Sequence, residues 1–380
     1  MFSRLYIHIP WCLSKCGYCA FNSRPLEPQQ LEQTCTLLLR EMELAATAYP
    51  HNQPLRSVYF GGGTPSLLGP EQIRRLITHS RNLFGHSNPI EITLEANPGT
   101  VSQTSLSGYQ QAGVTRISLG AQSFNNRMLQ ALGRRHTAAE TRSAFQLVQQ
   151  TGFSSIGLDL ICGLPNQTMT DWQQDLQEAL TLQPDHLSVY GLTIEDNTPF
   201  SSRYPEASPE LPDDDLIATM LEEADRVLGA ADYEHYEIAN FARPGCRSQH
   251  NCGYWQRDGY LGIGPGAHSF LRQNWGLRWG NQSDYATWAA AIQDSSLAAT
   301  ELQELTREDA LSEYIFLGLR MADGISLASF VEQFGQRLEQ RFAAEIQQLR
   351  QAGLLTCNDD QLALTKQGML LSNQVFVRFL

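Results

Sequence analysis

What this chain of 380 residues lacks first is a basic surplus: 27 lysines and arginines stand against 40 acidic residues, a formal net charge of -13. That balance removes the broad electrostatic attraction to phosphate backbones or anionic lipid on which non-specific nucleic-acid and membrane-surface binding depends. No uncharged apolar run approaches the roughly 18 residues a membrane span needs, and the one short apolar stretch at residues 1–10 carries Arg4 and His8. The expectation is a cytoplasmic protein that neither spans a membrane nor binds nucleic acid. Internal repeats, low-complexity tracts and long linkers are also missing. Cysteine is sparse, eight in all, with five scattered, so there is no disulfide framework. What remains, 42% hydrophobic and 18% charged, is an ordinary globular composition. The length suits one large domain with a smaller one beside it.

From residue 4 to about 194, short β-branched or aromatic runs alternate with longer helical patterns, a rhythm that predicts parallel strands joined by helices. The strands fall at Leu5–Ile9, Ser57–Phe60, Ile90–Glu95, Arg116–Leu119, Ile156–Ile161 and His186–Leu192. Thr137 with Glu140 forms a capping box, Gly113 and Gly152 sit where helix C-caps belong, and Pro184 follows another helix end. Leu31, Cys35, Leu38 and Met42 share one helix face, which makes Cys35 a core residue and not a ligand. Beyond Thr193 the repeat ends in a loop rich in Pro, Ser and Asp. A helix at Asp213–Leu228 and a strand-like alternation at Tyr233–Phe241 follow. Helices at 307–321, 326–335 and 338–353, a hairpin across Leu354–Leu364 and a last helix have the order of a winged helix. Its third helix, QRFAAEIQQLRQAG, has few cations, so a docking or lid role is expected in place of DNA binding.

The chemistry concentrates in HIPWCLSKCGYCAF, where Cys12, Cys16 and Cys19 have the spacing Cys-x3-Cys-x2-Cys just after a predicted strand. Three thiolates can hold three irons of a cubane and leave the fourth without a protein ligand. That open iron is a place for the amino and carboxylate groups of a small molecule. Structural zinc normally takes four protein ligands, and no fourth thiolate lies nearby. Three inert cysteines or a zinc site are the alternatives. Gly61, Gly62, Gly63, Thr64 and Pro65 follow the second strand; glycines let a backbone approach a ligand that a β-carbon would exclude. A strand's C-terminal end is where parallel α/β sheets bind ligands.

The triplet resembles that of the radical SAM superfamily, whose hallmark includes an aromatic residue just before the last cysteine, here Tyr18. The resemblance implies a 4Fe-4S cluster on Cys12, Cys16 and Cys19 with S-adenosylmethionine (SAM) on the open iron. It implies a fold of α/β class: a partial (βα)6 TIM-like barrel over residues 1–235, a connecting α+β region over 236–304, and a winged-helix-like domain over 305–380. The segments EANPGT, SLGAQSF, GRRH and LDLICGLP extend the likeness to the porphyrin-related branch. From that branch Tyr6, Tyr18, Gly62, Gly63, Thr64, Glu95, Gln122, Arg134 and Asp159 carry over as SAM contacts. Carboxylates suit ribose hydroxyls, and a planar guanidinium suits the cofactor carboxylate.

Within that branch the whole chain resembles the haem chaperones, relatives of the oxygen-independent coproporphyrinogen III oxidases. The oxidases carry a fourth cysteine two residues past the third, where this chain has Phe21, and a substantial N-terminal extension, whereas here the first strand begins by residue 5. His250-Asn251-Cys252-Gly253-Tyr254-Trp255 resembles the HNxxYW motif with which these chaperones bind haem. An imidazole is a common axial ligand, and Tyr and Trp rings offer flat apolar surface. Without the family, His250 would read as a satisfied loop histidine. Cys246, Cys252 or His268 in YLGIGPGAHSF are other candidate ligands, and pocket shaping is the expected task of His268. The implied function is a haem chaperone, with no catalytic residue assigned, that delivers haem to an acceptor protein, with a homodimer as the candidate assembly. The alternatives are a coproporphyrinogen oxidase, which needs an electron donor to cleave SAM and abstracts hydrogen from a propionate, or a radical enzyme that opens the haem ring.

Overall fold

Six strands, each with buried apolar residues, build the frame: β1 Arg4–Ile9, β2 Leu55–Gly62, β3 His86–Ala96, β4 Arg116–Gln122, β5 Ser155–Cys162 and β6 His186–Gly191. They appear in the computed structural model, which describes residues 1–27, 29–49, 53–205, 207–300 and 302–380. All six lie parallel and in sequence order, as crossover helices on the outer face require. Each predicted strand is present, extended by one to four residues at an end except at the last. Leu5, Ile7 and Ile9 are fully buried, each worth about 2 kcal/mol in water-excluded surface, and Tyr6 and His8 alternate onto the opposite face.

The helices form where their caps are. Thr137 accepts from the Glu140 amide at the head of Ala138–Thr151, and Gly113 and Gly152 close two helices in the left-handed region. Cys35 is fully buried in the first helix, Gln30–Ala48.

The sheet continues past both ends of the six-strand run. Beyond β6 lies a hairpin of β7 Glu234–Glu237 and β8 Asn240–Ala242. A domain boundary at 235/236 therefore falls inside a strand, and the sheet runs through it. On the other side of β1, parallel to it, is β9 Tyr260–Ile263, followed antiparallel by β10 His268–Leu271, β11 Leu277–Gly280 and β12 Gln303–Glu304. The result, among the described residues, is one twelve-stranded sheet that ends at β7 and β12, with β7 bridged to Met321 of the C-terminal body, an α/β partial barrel with a mixed extension.

The last body has its own core, built on Leu311, Ile315, Phe330, Leu362 and Phe379. Its helices are Arg307–Gly318, Leu327–Phe334, Leu338–Arg341, Ala343–Gln351, Lys366–Leu370 and Ser372–Phe376, with a small antiparallel sheet of Ile325–Ser326, Gln361–Leu364 and Leu355–Cys357. The single helix expected over 338–353 breaks at Phe342, whose ring packs edge-on against Phe379. Among the described residues no helix is long and apolar enough to cross a membrane.

Candidate functional site

The C-terminal ends of the six strands meet at one mouth, and the cysteine loop lies across it. Leaving β1 at Ile9, the chain pairs Trp11–Cys12 with Arg24–Pro25, which pins both ends of the loop holding Cys16 and Cys19. The glycine segment is tied to the same loop: the Gly63 amide donates to Ile9 O (2.7 Å) and the Thr64 amide to Trp11 O (2.8 Å). Glycine is required here. Gly62 has φ +109°, and a β-carbon on Gly63 would lie 2.6 Å from Trp11 O.

A polar chain joins two of the cysteines. Thr64 Oγ1 lies 3.6 Å from Cys12 Sγ and accepts from Asn97 Nδ2 (3.0 Å). Arg134 donates to Asn97 Oδ1 (2.8 Å) and Gly120 O (2.7 Å) and places its other amino group 3.6 Å from Cys16 Sγ. Burial pushes the Cys19 thiol up, against a backbone hydrogen bond at Phe21. All three cysteines are free, Cys16 and Cys19 partly accessible. Among the described residues no three His, Cys, Asp or Glu side chains are grouped to hold one metal ion. A cluster does not ask for that convergence, because each thiolate caps a separate iron. The donor set therefore fits an iron-sulfur cluster, and Arg134 Nε, buried with no partner among the described residues, fits an anionic group brought beside it.

Glu95, at the end of β3, accepts from Tyr59 Oη (2.7 Å), and burial raises its carboxyl to about 7. Asp159 on β5 accepts from Ser118 Oγ (3.2 Å); burial raises it as well, against hydrogen bonds from Ser188 and Ser118. Gln122 ends β4 with φ +66°. Tyr18 packs against Phe200 at 6.1 Å. Tyr6 Oη sits 3.1 Å from His8 Nδ1, and burial raises the phenol well above its ordinary value. Gly62, Gly63, Thr64, Glu95 and Gln122 thus stand at strand ends, Tyr18 lies on the cysteine loop, Tyr6 and Asp159 sit within β1 and β5, and Arg134 follows the helix Asn126–Ala131. Asn97 and Tyr59 were missed by sequence reasoning, although Asn97 lies inside the quoted segment EANPGT.

Beside this mouth opens a cavity of about 570 Å³, inside the 300–1,000 Å³ range of cofactor-sized sites. Tyr6, His8, Gly62 and Glu95 from the strand ends line it together with Tyr254, Trp255, Tyr260, His268 and Phe270, and Phe21, Arg257, Arg278 and Glu313 also border it. The motif HNCGYW forms a short helix, Gln249–Trp255, where a loop was expected. Its rings reach the cavity, but His250 does not line it. That imidazole is 1% exposed, with Ser57 Oγ at 2.8 Å on Nδ1 and Tyr254 Oη at 2.9 Å on Nε2. Burial first, then Arg4, pulls its pKa down to about 3. Cys252 packs in a small core with Tyr236 and Met321, Cys246 lies against that core, and burial raises the Cys252 thiol to about 11. Neither lines the cavity.

Comparison with known proteins agrees with this geometry. Residues 6–179 match the model of the radical SAM superfamily and residues 305–371 that of the HemN C-terminal domain. The chain is 34% identical over 378 residues to heme chaperone HemW of Bacillus subtilis, covering 99% of this chain and 98% of that one. It is 44% identical over 271 residues to heme chaperone HemW of Haemophilus influenzae, covering 70% of each. Among solved structures, coproporphyrinogen III oxidase (HemN) from Escherichia coli superposes with a TM-score of 0.86 at 23% identity, over 100% of this chain and 90% of that one. This last likeness speaks to the fold alone.

Proposed function

This chain belongs to the HemW family of radical SAM proteins, and from that footing we propose that it is a haem chaperone: it holds haem beside a SAM-ligated 4Fe-4S cluster and passes the haem to an acceptor protein. Membership of the radical SAM superfamily implies the cluster and SAM. Cys12, Cys16 and Cys19 would hold the cluster. Gly62, Gly63 and Thr64 would meet the methionyl amino end of SAM, Arg134 its carboxylate, and Glu95, Gln122 and Asp159, with Tyr6 and Tyr18, the remainder. When bound, the pair would supply one-electron reduction of the sulfonium.

The observation that carries the reading is the shared cavity. SAM-side residues Tyr6, Gly62 and Glu95 and the aromatic pair of HNCGYW, Tyr254 and Trp255, line one and the same cavity, and its volume suits a flat macrocycle. Tyr254 and Trp255 supply ring faces, and His250 fixes Tyr254 by accepting or donating at its hydroxyl. Phe21 is 66% exposed at the rim of this cavity, in the position where the oxidases carry a further cysteine. That favours holding haem over decarboxylating a porphyrinogen.

The test is anaerobic reconstitution of the full chain with iron and sulfide, then spectral titration with SAM and with ferric haem. Iron and sulfide incorporation, abolished when Cys12, Cys16 and Cys19 are replaced by Ala, and haem retention through gel filtration are expected. Zinc in place of iron and sulfide, no haem retention, or robust conversion of coproporphyrinogen to protoporphyrinogen would each overturn the reading.

A further inference from the structure

Three histidines stand around the cavity or its wall, and their hydrogen bonding separates them. His8 places Nε2 2.8 Å from Asn22 O and Nδ1 3.1 Å from Tyr6 Oη. His250 has both nitrogens engaged, as described, and is sealed beneath Tyr254. His268 is exposed to the cavity and has no hydrogen-bond or ion-pair partner among the described residues. A metal ligand needs a free ring nitrogen with room in front of it. Of the three, His268 alone meets that condition without breaking existing contacts.

Strand register explains why this side chain points inward. Tyr6 on β1 pairs with Gly262 on β9. On β10, His268 and Phe270 share one face, with Gly280 and Arg278 opposite them on β11 and Tyr260 opposite Phe270 on β9. The cavity-facing row is therefore Tyr260, Phe270, His268 and Arg278, flanked by glycines. A β-carbon on Gly280 would come within 3.1 Å of His268 Cε1, so the missing side chain is what gives the imidazole its space.

The rest of the row has the chemistry of a haem seat. Phe270, Tyr254, Trp255 and Tyr260 give flat apolar surface. Trp255 Nε1 and Arg278 Nε are buried with no partner among the described residues. Two guanidiniums, Arg257 and Arg278, share the single carboxylate of Glu313 (3.0 and 2.5 Å), so this cluster has one more cation than anion, while Asp258 on the same lining is already paired with Arg4. A propionate carboxylate is the anion a guanidinium fork matches.

We propose that His268 supplies the axial nitrogen to the iron of bound haem, with Arg278 receiving a propionate, and that His250 acts only by positioning Tyr254. This assignment rests on the haem-chaperone reading above. Coordination forms one iron-nitrogen bond and changes no oxidation state, so no further reactant is involved.

The experiment titrates the reconstituted full chain in parallel with ferric haem and with metal-free protoporphyrin IX, which offers the same ring and propionates but no iron. For His268→Ala the expected result is at least a tenfold weaker haem Kd with loss of the wild-type Soret position and electron-paramagnetic signature, an unchanged protoporphyrin Kd, and recovery of the haem spectrum on adding imidazole. Arg278→Gln weakens both ligands alike. His250→Gln keeps the wild-type ligand signature in whatever fraction elutes folded. A His268→Ala spectrum identical to wild type, or an equal loss for both porphyrins without imidazole rescue, overturns the His268 assignment and leaves the chaperone reading standing. If the wild-type chain binds neither porphyrin, it is the chaperone reading that falls.

Discussion

Removing the carboxylate of Glu313 should destabilise the chain while loosening the final body from the cavity. Glu313 sits on helix Arg307–Gly318 and is 8% exposed at its side chain; Arg257, its partner at 3.0 Å, is 4% exposed, and Arg278, at 2.5 Å, is 37% exposed. Breaking a buried pair from one side costs about 3–5 kcal/mol, because the remaining charge stays out of water. Arg278 can turn to solvent and adds little. Arg257 keeps the Trp275 carbonyl and the face of Phe270, 4.8 Å away, so the lower figure, about 3 kcal/mol, is the appropriate one for Glu313→Ala. At roughly 2–4 °C per kcal/mol for a large domain, the melting temperature falls by on the order of 6 °C or more. The control is the double variant Arg257→Met, Glu313→Leu, which removes both charges and should recover most of the loss. Melting followed by circular dichroism at neutral pH reads both. A loss under about 1 kcal/mol for Glu313→Ala, or a double variant worse than the single, would refute the reasoning.

Gly63→Ala should cost about 1–3 kcal/mol and reduce iron incorporation, since its β-carbon would lie 2.6 and 2.9 Å from two carbonyl oxygens of the cysteine-loop backbone; a variant that melts and loads iron like wild type counts against that packing. The buried Glu41 carboxylate, which accepts from Gly264 N, Asn281 Nδ2 and Trp288 Nε1, is raised to about 7 by burial. The folded state therefore holds its proton more tightly than the unfolded state. Stability from this group is lost as pH rises from about 4.5 through 7, by up to about 3 kcal/mol. Urea midpoints of wild type and Glu41→Gln should diverge between pH 5 and 8, and parallel pH profiles would exclude the effect.

The parallel frame was readable because local and global signals agree. Apolar runs bounded by Gly and Pro became β1 to β6, and the Thr137–Glu140 cap and the Gly113 and Gly152 stops appear where side-chain chemistry puts them. Residues 260–304 were not resolved into strands, because β9 to β12 are two to four residues long, too short for alternation to show. That β9 returns to lie parallel beside β1 depends on a contact across some 250 positions, which no local pattern encodes.

The site divides the same way. Thiolate spacing is local, so Cys12, Cys16 and Cys19 were legible as a ligand set. The polar chain through Asn97 was not, since it assembles from four strand ends. HNCGYW gave the right residue types but not their orientation. Read as a loop, it leaves every side chain free to face a ligand. As a helix, it stacks residues four apart on one face. His250 and Tyr254 are such a pair, joined at 2.9 Å, so once Tyr254 turns to the cavity the imidazole beneath it is committed to the phenol. The close approach of Arg4, whose guanidinium occupies the space a Gly253 side chain would need and donates to Gln249 O, fixes which face that is. In this chain the imidazole of His250 is therefore taken up by the phenol of Tyr254, whereas Gly280 leaves the ring of His268 its room on β10.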